Sequence, residues 1–309
     1  MGRSRSGTSS GPLRTAAVVA LVVGAVLALA GVGVAAVRDG VLDSAAQLVF
    51  PSAGPASAPA STPPAVTASP SPSLTPLPVG PAEVDVDITG WYAWALMDER
   101  MGKIYGSKNM AETSTTASLI KSWLAADYLR RATERGETPS DPRLSQLRTM
   151  IRDSANTPAQ TLWEELGKQA SIGRMISTCK LADSAAASAG WSRTRLSPRD
   201  ITRLGRCIAV GRAAGPKWTN WLLGEMRAVR GVGDTGIRKA FPASMRKTIA
   251  IKNGWITRDA EQEYHVNCLA IGDGWTMGVM VRYPFGGGRG YDYGFDVCES
   301  VARQLRTNA

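Results

Sequence analysis

Histidine is almost missing from this chain: its 309 residues include only one, His265. Zinc sites usually draw on two or three imidazoles, so most of them are excluded, and no metal ligand set is read from the sequence. A Ser-His-Asp or Cys-His hydrolase would have to rest on that one residue. Long basic runs are missing too. Lys+Arg number 36 against 26 Asp+Glu, for a net charge of +10, yet five consecutive basic residues occur nowhere. The bases interleave with acids. That argues against a nucleic-acid partner and for a solvated surface in an anionic setting such as a cell envelope. Cysteine is scarce, at four. Apolar residues are not: they make up 44% of the chain, enough for a sizeable core and against global disorder. No internal repeat is visible.

The first eighty residues read as an address. Residues 1–15 carry Arg3, Arg5 and Arg14 and no acid. Ala16 to Val37 are uncharged and built from Ala, Val, Leu and Gly. As a helix this run spans about 33 Å at 1.5 Å per residue, enough for a bilayer core. It is longer than the apolar core of a cleaved signal peptide, roughly 7–15 residues. Residues 16–37 are therefore expected to be a single membrane anchor, with the N-terminus cytoplasmic and everything downstream outside. Residues 38–82 follow as a linker, and ten of the chain's 18 prolines fall within 51–82. Such a stretch cannot bury a core and is expected to be an extended tether reaching roughly 100 Å. The folded domain is expected over 83–309. Four bases (Arg3, Arg5, Arg14, Arg38) and two acids (Asp39, Asp43) precede it, so 32 bases face 24 acids within it.

Within that domain, Gly90–Met97 and Lys103–Tyr105 read as two strands around a turn. Thr248–Ile256, Tyr264–Ile271 and Thr276–Tyr283 read as three more. Tyr291–Arg306 reads as a closing helix, with Val297, Val301 and Leu305 four apart. The middle, about 117–240, is helical in pattern. Ser197-Pro198-Arg199-Asp200 is a helix start: serine caps, proline takes the first position and the acid reaches back. The fold class is thus α/β (α+β): a mainly antiparallel five-stranded sheet built from both chain ends, flanked by helices, with an all-helical region inserted. All four cysteines lie in this outer domain, and an even number in an oxidising compartment suggests two disulfides. Three pairings are open. The assigned elements favour Cys179 with Cys207, both on helical segments, and Cys268 with Cys298, a strand and the helix that packs on it.

Three short motifs could carry chemistry. Ser118-Leu119-Ile120-Lys121 opens a helix that ends at Gly136. Positions i and i+3 share a helix face, so hydroxyl and amine are neighbours. A buried lysine can lose its proton and act as a base. Ser154-Ala155-Asn156 offers a hydroxyl to relay a proton and an amide to hold a substrate amide. Lys252-Asn253-Gly254 lies in a strand, where the glycine lets a ligand or backbone approach closely.

In this order and on these elements, the three motifs resemble those of the penicillin-recognising serine hydrolases, which include class A β-lactamases and D-Ala-D-Ala peptidases. Their signature is S-x-x-K, then S-D-N, then K-T-G. The likeness is closest to class A, through Thr116–Lys121 and the Ser197–Asp200 helix start. It implies an acyl-enzyme formed on Ser118, with Lys121 helping to deprotonate it and Ser154 passing a proton to the leaving nitrogen. Asn156 would hold a side-chain amide of the substrate. Lys252 would supply positive potential for a substrate carboxylate, with Asn253 beside it. The backbone N–H groups of Ser118 and Trp255, next to Gly254, would form the oxyanion hole. The substrate implied is a peptidoglycan D-alanyl peptide or a β-lactam. No cofactor is implied, and His265 has no role.

Four departures stand out. Ala155 replaces the usual Asp, Asn253 replaces a Thr or Ser, and Trp255 replaces a small residue. The class A Glu-x-x-Leu-Asn stretch, whose glutamate activates the deacylating water, is absent between Thr157 and Leu196. Glu164 and Glu165 belong to the helix after Asn156. Asp183 lies nearer the expected loop but is short for the task. Slow deacylation is the expectation. The alternative is a non-catalytic envelope module that keeps the fold and its groove.

Overall fold

The first and last strands of the domain lie side by side, which closes the sheet from both ends of the chain. The computed structural model describes residues 75–307, apart from 187 and 188. Strands β1 (Trp91–Asp98) and β2 (Lys103–Gly106) form a hairpin whose turn contains Gly102 at φ +65°. β1 also pairs along its full length with β8 (Trp275–Pro284), and β8 pairs with β7 (Glu263–Gly272). On the far side β7 carries β5 (Ala250–Ile251) and β6 (Gly254–Arg258). The order is β2-β1-β8-β7-β5, with β6 also on β7, and every pairing is antiparallel.

The expected single strand over 248–256 is therefore two pieces. Ile251 faces Ala270 and Gly254 faces Asn267, so both pieces keep one register. Lys252 N still donates to Leu269 O at 3.1 Å. The ladder is interrupted at Lys252 and Asn253, whose side chains bond Ser154 and the Gly233–Thr235 loop respectively. Thr248 and Ile249 lie outside the strand, in the turn after the short helix α7 (Ala243–Arg246).

Between β2 and the short α7, the described chain makes six longer helices: α1 (Lys121–Glu134), α2 (Asp141–Arg152), α3 (Asn156–Glu165), α4 (Gln169–Cys179), α5 (Pro198–Ala209) and α6 (Pro216–Arg227). A two-residue ladder, β3 (Ser114–Thr115) with β4 (Arg195–Leu196), pins the entry to α1 against the entry to α5. The start of α5 follows the sequence reading: the Ser197 hydroxyl accepts from Asp200 N at 3.0 Å and Pro198 is the first helical residue. One face of α5 covers the sheet so closely that a Cβ on Gly278 would lie 2.6 Å from Ile201. The opposite sheet face is covered by α8 (Tyr291–Leu305), where Gly294 meets Val266 equally tightly. Disulfides join Cys179 to Cys207, linking α4 to α5, and Cys268 to Cys298, linking β7 to α8.

The folded unit starts earlier than composition suggested. Gly80 N donates to Leu305 O at 2.9 Å, Thr307 N donates to Pro78 O at 3.0 Å, and Val79 is buried. Proline-rich chain cannot build a core, but it can lie along one by its remaining backbone groups. The expected anchor at 16–37 and most of the expected tether lie outside the described residues. Among those described, no helix is long and apolar enough to cross a membrane.

Candidate active site

Ser118 sits in a 3-10 turn, Ala117–Ile120, rather than in the α-helix expected to open there; α1 begins at Lys121. In a 3-10 helix residues i and i+3 eclipse, so the turn stacks Ser118 and Lys121 even more directly than an α-helix does. Ala117 starts the turn at φ +47°, a conformation that non-glycine residues adopt at a cost and that clusters at functional sites. Leu119, Ile120, Trp123 and Leu124 are fully buried and hold the turn in place from below. Ser118 itself keeps a small exposed edge, at 8%.

That edge faces a cavity of about 220 Å³. Four of the expected site residues meet in or around it: Ser118, Ser154, Asn156 and Trp255 line its wall. Ser154 is held at φ +58°, just before Asn156 begins α3. Lys121 and Lys252 are fully buried beneath the wall. Lys121 Nζ donates to Ser154 O at 2.5 Å, to Asn156 Oδ1 at 2.7 Å and, weakly, to Ser154 Oγ at 3.4 Å. Lys252 Nζ donates to the same Ser154 Oγ at 3.0 Å and to Asn253 O at 2.9 Å. The Ser154 hydroxyl thus bridges two amines.

Burial pulls the Lys121 ammonium down to about 7. Burial also holds Lys252 well below the ordinary lysine range, and the neighbouring Lys121 charge adds to the effect. A neutral amine beside Ser118 is therefore available near neutral pH. Lys252, from which positive potential for a carboxylate is expected, reaches the cavity wall through its bond to Ser154.

Gly254 earns its place by proximity: a Cβ there would lie 2.3 Å from Thr116 O and 2.7 Å from Ser118 N. Only a residue without a side chain lets β6 lie against the nucleophile turn. Asn253 does not join the site. Its Nδ2 donates to Gly233 O and Thr235 O, at 3.1 and 2.8 Å, and it anchors that loop instead of lining the cavity. His265 also lies elsewhere. It is buried between β3 and β7, with Nδ1 against Thr115 Oγ1 at 2.8 Å and Nε2 against Glu263 at 3.1 Å.

The cavity has walls that the motifs did not announce: Trp191, Ser192 and Tyr291. Trp191 follows a stretch of small residues in sequence, and its ring lies 4.8 Å from Lys121 Nζ. Its Nε1 donates to Gln160 Oε1 at 3.1 Å, which fixes it against α3. A tryptophan in a small-residue loop was the one available signal that this segment buries something.

Asp153 is the one carboxylate lining the cavity among the described residues, and both its oxygens bond Arg230, at 2.5 and 2.9 Å. Those bonds hold its pKa below the usual carboxylate range. Asp183 lies outside the cavity. Burial alone would raise its pKa, but hydrogen bonds from Arg199 and Ser197 keep it low. Glu165 pairs with Arg143 at 3.0 Å and Glu164 accepts from Gln160 at 2.8 Å, both away from the cavity. Among the described residues no group of three His, Cys, Asp or Glu could hold a metal ion.

No model of a protein family matches the chain, and no curated protein matches it either. Solved structures do. An ancestral class A β-lactamase, of the last common ancestor of Gram-negative bacteria, matches with a TM-score of 0.54 at 18% identity, over 70% of this chain and 93% of its own. L2 complexed with relebactam matches at 0.56 and 16%, over 70% and 90%. A β-lactamase from Xanthomonas campestris pv. campestris matches at 0.53 and 17%, over 70% and 91%. The fold of residues 75–307 is that of the class A β-lactamases.

Proposed function

We propose that this chain uses the class A β-lactamase fold as a serine acyl-enzyme former, acylated on Ser118 by a β-lactam or a peptidoglycan D-alanyl peptide. One observation carries the reading. A nearly buried serine opens onto a small cavity, one 3-10 turn from a buried lysine that burial brings to about 7. Neutral Lys121 takes the Ser118 proton as the oxygen attacks the carbonyl. Ser154, hydrogen-bonded to both amines, returns a proton to the leaving nitrogen. The backbone N–H groups of Ser118 and Trp255 receive the oxyanion. Asn156 lines the cavity where a substrate amide would lie.

Deacylation is slow in this reading. It needs an activated water, and the cavity offers no free carboxylate: Asp153 is held by Arg230. Trp191 occupies space beside Lys121 and excludes water from it. General-base assistance is worth about 10²–10⁴-fold, so the acyl-enzyme outlives that of an efficient hydrolase by a factor of that order. In the same proposal, a membrane anchor at 16–37 holds the domain outside the cell.

A second reading has its own observation. The Lys121 hydrogen bonds go to Ser154 and Asn156, and none joins it to Ser118. That favours a binding module with a retained groove. A fluorescent penicillin with intact-mass analysis separates the two. A lasting adduct on Ser118, lost in Ser118→Ala and kept in His265→Ala, supports the acyl-enzyme. No adduct at saturating label supports the module, and rapid multiple turnover contradicts slow deacylation.

A further inference from the structure

A second concavity, of about 550 Å³, shares no residue with the Ser118 cavity. Its walls come from the β1–β2 hairpin (Met97, Gly102, Ile104), the end of α4 (Cys179, Lys180), and α5 with the turn after it (Arg203, Arg206, Val210, Arg212). Four of these residues are cations and none is an acid. Arg203 and Arg206 are three apart on α5 and share one face. The Cys179–Cys207 disulfide ties the end of α4 to the same helix, so Lys180 is fixed beside them covalently.

Part of this positive charge is already compensated. Arg203 donates to Asp200 at 2.7 Å. Lys180 and Arg206 also lie at the C-terminal ends of α4 and α5, where the helix dipole favours positive charge. Each such end amounts to about half an elementary charge. Four cations less Asp200 and two half-charges leave roughly two positive charges unmet. Glu99, whose field reaches Arg206, offsets this only in part, because burial pushes its own carboxyl up to about 7. The side chains of Lys180, Arg206 and Arg212 donate no hydrogen bond and form no ion pair among the described residues. Val210, among the apolar part of the lining, is 52% exposed.

We propose that this α4–α5 concavity is a binding site for a phosphate-bearing anion. The two unpaired guanidinium forks, Arg206 on α5 and Arg212 in the turn after it, match phosphoryl oxygens in pairs, and a surplus near two charges suits a phosphate better than a single carboxylate. The volume is ordinary for a small-molecule site and far larger than one phosphate needs, so the ligand carries more than that group. The source is a lipid headgroup or a soluble phosphate compound.

Calorimetric titration of the full-length chain, in a non-ionic detergent, tests this with two probes. One is inorganic pyrophosphate. The other is glycerophosphoglycerol, a deacylated lipid headgroup. Binding of either probe is expected, weakening as salt rises. Binding of pyrophosphate alone points to a soluble phosphate, and binding of glycerophosphoglycerol points to a headgroup-type diester. Arg206→Gln with Arg212→Gln is expected to lower affinity at least tenfold. Lys108→Gln with Lys247→Gln, an equal charge change at two exposed positions outside the concavity, is expected to leave it unchanged. Melting midpoints check that both variants fold. The proposal is overturned if neither probe binds at millimolar concentration, or if the two double variants lose affinity equally.

Discussion

Lys121 is fully buried at the base of the cavity wall, and in the proposed mechanism its protonation governs Ser118. Only the neutral amine can accept the serine proton. With the group brought to about 7, the fraction in that form rises tenfold per pH unit below 7 and saturates above it. The rate constant for β-lactam adduct formation is expected to follow that curve. A rate that is flat between pH 5 and 8, measured by stopped labelling, rejects Lys121 as the base. The same shift has a sign for stability. The folded-state pKa lies below the unfolded value of 10.5, so between about 7 and 10.5 the unfolded chain binds more protons. Stability therefore rises with pH through that window, and the penalty of burying the charge is complete below about 7. Lys121→Met removes the penalty along with the hydrogen bonds to Ser154 and Asn156. Relative to wild type, the variant is expected to be more favoured at pH 6 than at pH 9 in urea unfolding. A difference independent of pH contradicts this.

Elements were legible in the sequence where their cause is local. Alternation and turn residues placed β1, β7 and β8 within a residue or two, and the Ser-Pro-x-Asp start placed α5. The two cysteine pairs followed from those placements. The one-turn spacing of Ser118 and Lys121 was legible too, because it depends only on helical spacing, and the Lys121 N–H donates to Ser118 O. Asn253 was not, because its amide is claimed by Gly233 and Thr235, a loop that a strand pattern cannot see. Trp191 and Tyr291 reach the cavity from segments far along the chain from Ser118, and only the packed fold brings them there. The pairing of α4 with α5 makes a testable claim at this scale. Cys179 and Cys207 are 28 residues apart, and Cys268 and Cys298 are 30 apart. Loops of that length restrict the unfolded chain by about 3 kcal/mol each. Cys179→Ala with Cys207→Ala is expected to lower unfolding free energy by roughly that amount. It should also loosen the α4–α5 concavity without removing the Ser118 adduct. Loss of the adduct with an unchanged midpoint would mean that the bridge serves the site rather than the fold.

The whole molecule combines a basic, disulfide-joined domain with an N-terminal region of a different composition. Two disulfides suit an oxidising compartment, and a net positive domain suits an anionic layer. In the function proposed above, the uncharged 16–37 run, with three arginines before it, would hold such a domain on the outer side of a membrane. The proline-rich stretch sets the reach. Residues 51–76 hold eight prolines and, of the large apolar residues, just Val66 and Leu74, so composition makes this the expected region of cleavage. From Leu77 onward the chain is protected, because Pro78 and Gly80 hydrogen-bond to the end of α8 and Val79 is buried there. Broad-specificity protease added to intact, wall-stripped cells that make the full chain is therefore expected to release one fragment. Its N-terminus falls between residues 51 and 76, and it still forms the Ser118 adduct. A domain wholly protected until the cells are lysed overturns the orientation. Release of a fragment starting well beyond residue 81 overturns the docking of the Leu77–Pro81 segment.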